Sequence, residues 1–233
     1  MSVAGNIQNI EERIASACLR SGRKRDEITL MGVTKFQPLP VIEEAYNTGI
    51  RFFGESRVSE AAEKFAKFSD KFPDAALHMV GSLQRNKVKQ AVSLFDCIQS
   101  LDREELAKEL AKHAVDGGCM VKPVQILLEF RTGEDSKNGF TGMNELFRTV
   151  ELVQGFPLLN IRGLMTMAPF TSDELPVRAA FRKLMNVRQE LDRRFPESDW
   201  SCLSMGMSGD FEIAVEEGST LLRIGTAIFG ERI

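Results

Sequence analysis

Short apolar runs alternate with longer amphipathic stretches along most of the chain. Eight of the runs have the length and the β-branched or aromatic content of buried strands. These runs cover residues 28–34, 50–53, 77–80, 95–100, 121–130, 161–167, 200–205 and 221–224. Stretches with apolar residues at helical spacing follow the first, second, fourth, fifth and sixth runs, as in LPVIEEAYNTG after the first. This alternation predicts parallel strands that are joined by helical crossovers.

A further helix precedes the first strand. Apolar residues recur at helical spacing between residues 6 and 21, and Gly22 is placed to end that helix as its C-terminal cap. Eight strand units in 233 residues predict an α/β protein, a single (β/α)8 TIM barrel that forms one domain over residues 1–233, with this extra N-terminal helix. A doubly wound open sheet is the alternative, and the chain has no GxGxxG or Walker-type loop in its favour.

Composition narrows the classes of function. The chain is 43% hydrophobic and 27% charged with a formal net charge of -3, so it lacks the concentrated basic surface that nucleic acids or anionic membranes attract. No apolar stretch approaches the ~20 residues of a spanning helix, and the first residues lack the apolar centre of a signal peptide. The four cysteines form no CxxC pair and there are only two histidines, so we expect no metal site. We therefore expect a cytoplasmic protein.

The first run leads into a lysine, in ITLMGVTK. In a barrel of this type, chemistry takes place at the C-terminal ends of the strands. Lys35 has the parity of Met31 and Val33, so it points into the barrel mouth if those residues face the interior. A lysine that loses hydration there has a lowered pKa, and its neutral amine is a nucleophile toward aldehydes. The alternative is a strand-end lysine that extends into solvent.

Small residues follow the last two strands, where barrels of this type often hold a phosphate group. Ser208 lies between the seventh run and a helical stretch, FEIAVEEG. Gly225 and Thr226 form a second small-residue turn after the eighth run. Together these residues indicate a phosphate site, and the alternatives are a helix cap at Ser208 and an ordinary turn at Gly225.

Arg223 is an unusual residue for a buried strand. It shares one strand face with Leu221 and Gly225 inside LLRIG. If that face points into the barrel, the guanidinium needs an acceptor, which is either a bound ligand or a core carboxylate such as Glu129. The remaining alternative is that the two faces are reversed. Pyridoxal 5′-phosphate (PLP) carries an aldehyde, a phosphate and a ring nitrogen, so this one ligand would use Lys35, the phosphate turns and Arg223.

Several longer stretches resemble one family of proteins. The stretches VTKFQP, FFGESRVSEAAEK, HMVGSLQRNK, GLMTMAP and LSMGMSGDFEIAVEEGSTLLRIGTAIFGER are similar to those of the YggS/PROSC family of pyridoxal phosphate homeostasis proteins. The resemblance covers essentially the whole chain and implies the barrel of the alanine racemase N-terminal domain. It also implies a Schiff base between PLP and Lys35, and an Arg223 side chain that faces the pyridine nitrogen. The residues implied to contact the phosphate are Ser208, Gly225 and Thr226.

Two positions depart from the pattern of that family. Ser56 stands where members commonly have asparagine after Gly-Glu, and Ser59 stands where they have glutamine. The shorter Ser56 side chain would contact a cofactor differently. We expect this change to affect the exposure and affinity of the cofactor rather than the Schiff base itself.

The leading hypothesis is a protein that holds PLP, buffers it and delivers it to PLP-dependent apo-enzymes, without strong catalytic activity. We expect a monomer, because the second domain that forms part of the dimer interface in the related enzymes is missing from this sequence. An arginine at the pyridine nitrogen keeps that nitrogen unprotonated, so the ring stabilises a carbanion poorly. Racemases with this barrel take a second base, a tyrosine, from an additional domain. This chain has one tyrosine, Tyr46, in the first crossover helix.

Other functions stay open as hypotheses. One is a weak PLP-dependent amino-acid racemase or decarboxylase, for which His78, Glu55 and Cys202 are candidate bases. Another is a Schiff-base aldolase that acts on a phosphorylated sugar. A further hypothesis places a second cofactor phosphate near Lys87 and Lys89 in LQRNKVKQAV, where a solvated helix face is the alternative.

Overall fold

A closed barrel of eight parallel strands forms the centre of the protein. The computed structural model describes residues 2–66, 68–116, 119–120, 123–133 and 138–230. The barrel strands are β1 (Thr29–Val33), β2 (Phe52–Glu55), β3 (Ala76–Met79), β4 (Cys97–Leu101), β5 (Val124–Glu129), β6 (Leu159–Met165), β7 (Cys202–Ser204) and β8 (Leu221–Ile224). Their order around the barrel is β1-β8-β7-β6-β5-β4-β3-β2, so β8 closes onto β1. The closed barrel confirms the predicted (β/α)8 fold and rules out the open sheet.

Helices cover the outside of the barrel. Those described are α1 (Val3–Ser21), α2 (Leu39–Asn47), α3 (Val58–Lys64), α4 (Phe68–Lys71), α5 (Val88–Leu94), α6 (Glu104–Ala114), α7 (Met143–Gln154), α8 (Glu174–Arg194), α9 (Phe211–Glu216) and α10 (Thr226–Phe229). Short 3-10 turns cover Arg25–Glu27 and Arg85–Lys87. Among the residues that the structure describes, no helix is both long and apolar enough to cross a membrane.

Side chains of the barrel strands alternate between an outer and an inner layer. The outer layer, between strands and helices, is a continuous apolar core in which Phe53 and Leu184 are fully buried. A smaller cluster that includes Leu127 and Met165 forms a second layer of buried residues. Burial of each large apolar side chain contributes about 1.5–3 kcal/mol, so the outer core is what holds the helices against the barrel.

The N-terminal helix packs onto the last part of the barrel. α1 begins after Ser2, whose Oγ accepts a hydrogen bond from the Gly5 N–H at 3.2 Å. It ends at Gly22, where φ is 68° and the backbone N–H returns to the last turn of the helix. Glycine adopts this left-handed cap without a steric penalty. The predicted helix and its cap are confirmed, and α1 contacts α9 and α10.

Two predicted helices are shorter than their sequence patterns. The pattern over 57–72 predicts one helix, but α3 ends where Phe65 leaves helical geometry and buries its ring in the core. The pattern over 103–118 extends beyond Ala114, where α6 gives way to a short antiparallel hairpin of Val115–Asp116 with Cys119–Met120. Residues 121 and 122 of the fifth predicted run lie outside the described residues.

Candidate functional site

Lys35 lies at the C-terminal rim of the barrel, the edge formed by the C-terminal ends of the strands. β1 ends at Val33 and is followed by a tight turn over 34–37, which the Gln37 N–H closes by donating to the Thr34 carbonyl oxygen at 2.9 Å. Lys35 is half-buried within that turn. The lysine is therefore carried by a turn rather than by the strand itself.

The inward-facing residues of β1 are the predicted ones. Met31 Sδ lies 4.0 Å from Gln99 Nε2 inside the barrel. Gly54 on β2 leaves room for two side chains of β1, because a Cβ there would lie 2.9 Å from Met31 Sδ and 3.5 Å from Val33 Cγ2. The predicted parity of Met31 and Val33 is thus confirmed, and this strand leads directly into the turn of Lys35.

The predicted phosphate residues come together beside the end of β1. Ser208 Oγ accepts a hydrogen bond from the Ala227 N–H, in the first turn of α10, at 3.2 Å. α10 begins at Thr226, directly after Gly225. A Cβ on Gly225 would lie 3.4 Å from the Val33 carbonyl oxygen, so this loop contacts β1. The three predicted residues therefore lie at one edge of the rim.

Ser208 does not cap the helix that follows it in the chain. The N-cap of α9 is Asp210, and the Asp210 side chain accepts a hydrogen bond from the Met207 N–H at 2.5 Å. The sequence-based alternative of a cap on α9 is therefore wrong, and Ser208 instead joins the loop after β7 to the helix after β8. Gly206 permits this path, because its φ is 99° and a Cβ there would lie 2.6 Å from Ala214 Cβ.

Arg223 points into the barrel and is only 5% exposed. Its guanidinium donates to Ser204 Oγ at 2.7 Å and to the Thr166 carbonyl oxygen at 2.8 Å. The inward orientation is confirmed, and the alternative with reversed strand faces is wrong. Glu129 attracts the charge of Arg223, although no direct ion pair joins the two within the described part of the chain.

A chain of hydrogen bonds continues from Arg223 across the barrel. Ser204 Oγ donates to Gln99 Oε1 at 2.6 Å, and Gln99 Nε2 donates to His78 Nδ1 at 2.9 Å. Burial lowers the pKa of His78 to about 4, so its ring is neutral near pH 7 and Nδ1 accepts. Ser204 and Gln99 were not among the residues predicted from the sequence. The signal that could have found them is a polar residue at an inward position of a strand that is otherwise apolar.

Glu129 is a buried carboxyl at the same rim. It ends β5, two residues beyond Leu127 and therefore on the same strand face. Burial and the nearby Asp102 raise the pKa of Glu129 to about 7, while Arg223 lowers it. Its carboxyl therefore exchanges a proton near neutral pH. The sequence indicated Glu129 only as a partner for Arg223, and its titration depends on Asp102 from the end of the neighbouring β4.

The other candidate bases lie either at the opposite end of the barrel or on its outer side. His78 and Cys202 line a cavity at the opposite end of the barrel, the N-terminal mouth. Tyr46 donates a hydrogen bond to Asp74, which borders the same cavity. Glu55 lies on the outer side of β2, in contact with α3.

The cations after β3 are partly engaged within the protein. Arg85 Nε lies 3.1 Å from Glu109 Oε2 on α6. Lys87 ends a 3-10 turn, and Lys89 lies in the first turn of α5. The described contacts add nothing in favour of a second phosphate near Lys87 and Lys89, and that hypothesis stays a prediction.

Comparison with known proteins assigns the chain to a family. Residues 6–233 match the family of the alanine racemase N-terminal domain. The pyridoxal phosphate homeostasis protein of Vibrio cholerae is 40% identical over 99% of this chain and 97% of its own length. PipY of Synechococcus elongatus PCC7942, solved with PLP bound, is 36% identical with a TM-score of 0.81, over 95% of this chain and 100% of its own. An alanine racemase of Clostridium difficile 630 shares the fold, with a TM-score of 0.78 and 11% identity over 99% of this chain and 56% of the racemase.

The barrel and its rim define the class first: this is an alanine-racemase-type barrel. Within that class, the family follows from similarity over nearly the whole chain, because the Vibrio cholerae relative is 40% identical over 99% of it. The chain belongs to the pyridoxal phosphate homeostasis proteins. The resemblance that the sequence motifs indicated is thus confirmed.

Proposed function

We propose that this protein binds PLP covalently at Lys35 and takes part in PLP homeostasis, holding the cofactor and releasing it to PLP-dependent apo-enzymes. The observation that carries the proposal is the meeting of a half-buried lysine, a small-residue turn and a buried arginine at the ends of β1, β7 and β8. These three strands are neighbours in the barrel. Relatives named as pyridoxal phosphate homeostasis proteins, and a PipY structure with PLP bound, support the choice of ligand.

Each residue has a separate task in this proposal. The bound cofactor supplies an electrophilic aldehyde carbon. Lys35 would hold the cofactor covalently, because its Nζ amine is a nucleophile toward such a carbon. The Ser208 hydroxyl and the backbone at Gly225 and Thr226 would bind the phosphate of the cofactor. Arg223 would donate a hydrogen bond to the ring nitrogen of the bound cofactor.

This arrangement favours storage of the cofactor over amino-acid chemistry. A guanidinium donor keeps the ring nitrogen unprotonated, which weakens the electron sink that racemisation and decarboxylation require. Tyr46, His78 and Cys202 lie at the other end of the barrel. Glu129 titrates near neutral pH at the rim, and it is the group there that the alternative of a weak racemase or decarboxylase could use as a base besides Lys35.

Borohydride reduction followed by peptide mass mapping tests the proposal. Protein saturated with PLP should have a visible absorption band, and reduction should fix the cofactor on the peptide that contains Lys35. Lys35→Ala should bind PLP at least about 10-fold more weakly because the covalent bond is lost. Lys108→Ala, which changes a lysine on the outer helix α6, should behave as wild type.

Two outcomes would contradict the proposal. A wild-type adduct that maps to a different lysine would overturn the assignment of Lys35. A protein that stays colourless with PLP but forms a reducible adduct with a phosphorylated sugar would favour the aldolase alternative instead.

A further inference from the structure

A group of charged and polar side chains lies behind the turn that carries Lys35, on the helix side of the strands. We call it the Lys64 cluster, and it consists of Lys64, Glu55, Glu60 and Thr34. Lys64 Nζ, at the end of α3, lies 2.6 Å from Glu55 Oε1 and 2.9 Å from Glu60 Oε1. Thr34 Oγ1 donates to the same Glu55 oxygen at 2.7 Å. The cluster therefore links β1, β2 and α3.

The Lys64 cluster holds the backbone on both sides of Lys35. Its ammonium group donates to the carbonyl oxygen of Thr34 at 2.7 Å and to that of Gln37 at 3.3 Å. One of its carboxylates accepts a hydrogen bond from the Phe36 N–H. These bonds reach the residue before Lys35, the residue after it and the last residue of the turn. The turn is thus anchored to α3 at three backbone atoms.

Stability alone does not account for this arrangement. Glu55 is fully buried, and its Oε2 has no hydrogen-bond partner among the described residues. Burial raises the pKa of Glu55, whereas its contacts with Lys64 and Thr34 lower it. Phe36 has a φ of 63°, a left-handed conformation that is unfavourable for a bulky side chain. Buried charges and strained backbone lower stability, and they cluster where a fixed geometry serves function.

We propose that Lys64 is a positioning residue, which fixes the turn so that the amine of Lys35 meets a phosphate-anchored aldehyde in one orientation. This inference rests on the function proposed above. When the turn is fixed, the nucleophile stays in its reactive position and does not have to sample other turn conformations first. A displacement of about 1 Å can slow a reaction about 10²-fold. In this role Lys64 acts through the backbone of the turn.

Two variants and one control test the role of Lys64. Lys64→Met removes the ammonium group. Glu55→Gln/Lys64→Met removes both buried charges, so it leaves no unpaired carboxylate in the core. Lys108→Met is the matched control, because Lys108 also follows a glutamate by four residues, with Nζ 3.8 Å from Glu104 Oε2, but lies on the surface of α6.

Two measurements are made on each protein. The first is the rate at which borohydride-trappable PLP attaches to the Lys35 peptide. The second is amide hydrogen exchange of the peptide that covers residues 34–37, in protein without cofactor. We expect both Lys64 variants to attach PLP at least about 10-fold more slowly and to exchange the turn amides at least about 10-fold faster, with the control unchanged in both.

The outcomes separate this inference from the proposed function. Wild-type rates of attachment in both Lys64 variants would overturn the inference alone, and so would slower attachment without faster exchange at the turn. A wild-type adduct on Lys64 instead of Lys35 would overturn the inference together with the assignment of Lys35, since Lys64 would then contact the cofactor directly. A wild-type protein that attaches no PLP at all would overturn the proposed function and this inference together.

Discussion

The two ends of the barrel both contain buried titratable groups, yet they differ in chemistry. The C-terminal rim combines the half-buried Lys35 with the charged Arg223 and with the small-residue turns after β7 and β8. The N-terminal mouth has a cavity of about 880 Å³. Polar and thiol side chains that line this cavity include His78, Cys97, Arg162 and Cys202.

Burial acts at both ends, with opposite consequences. At the N-terminal mouth it lowers the pKa of His78 to about 4, raises that of Cys202 to about 11 and raises that of Cys97 well above its ordinary value. These three groups are therefore neutral near pH 7. At the rim, burial brings the pKa of Glu129 to about 7, so that this group exchanges protons at neutral pH. A large cavity lined by titratable residues is therefore not enough to indicate a reactive site. The protonation states that the surroundings impose on those residues must also suit the chemistry.

The largest effect that we expect from this difference is on the pH dependence of stability, measured without cofactor. The pKa of His78 falls from 6.5 to about 4 on folding, so the unfolded state binds the extra proton and stability rises between about pH 4 and 6.5. The pKa of Glu129 rises from 4.5 to about 7, so the folded state binds the extra proton and stability falls between about pH 4.5 and 7. Each shift corresponds to about 3 kcal/mol, and the two slopes nearly cancel in the wild type.

Single variants should separate these two slopes. Relative to wild type, Glu129→Gln should gain about 3 kcal/mol in the free energy of unfolding as pH rises from about 4.5 to 7. His78→Gln should lose a similar amount relative to wild type between about pH 4 and 6.5. Urea unfolding over a series of pH values measures both. If the free energy of unfolding depends on pH in the same way in all three proteins, the two ends of the barrel do not differ in protonation as described.

A smaller effect should appear in thiol reactivity at the N-terminal mouth. The thiolate is the reactive form of cysteine, and a pKa of about 11 for Cys202, against an ordinary 9.0, lowers its thiolate fraction at pH 8 about 100-fold. Iodoacetamide should therefore label Cys202 about 100-fold more slowly in the folded protein than in urea. Mass mapping of the labelled peptides gives both rates. If Cys202 is labelled in the folded protein as fast as in urea, the N-terminal mouth also contains a reactive nucleophile.

Much of the fold and part of the candidate site could be predicted because they depend on local periodicity. Alternation within single strands was enough to predict all eight strands and the residues that share a face with Met31 and with Arg223, although it left open which way the Arg223 face points. Closure of a parallel barrel then brings strand ends to one rim, which is why Lys35 and Ser208 could be assigned to the same edge. The N-terminal helix and Gly22 followed from helical spacing and from the chemistry of a glycine cap.

The partners of these residues could not be predicted, because they depend on contacts between distant elements. Ser204 and Gln99 meet across the barrel, from β7 and β4, and no local pattern gives the register that joins them. The Lys64 cluster depends on where α3 ends. The apolar periodicity continues to residue 72 and places Lys64 in mid-helix, whereas burial of Phe65 ends the helix at Lys64 and directs its ammonium group to the turn.

The smallest expected effect is on PLP affinity, measured after replacement of one arginine at each end of the barrel. Arg223 is buried at the rim side, whereas Arg162 borders the N-terminal cavity and pairs with Asp199 at 3.0 Å. Arg223→Met should weaken PLP binding about 10-fold, because a hydrogen bond from a charged donor contributes about 1.5 kcal/mol or more. Arg162→Met removes a half-exposed ion pair and should leave PLP affinity unchanged. Equal losses, with equal losses of thermal stability, would mean that affinity follows the stability of the whole barrel rather than a contact at the rim.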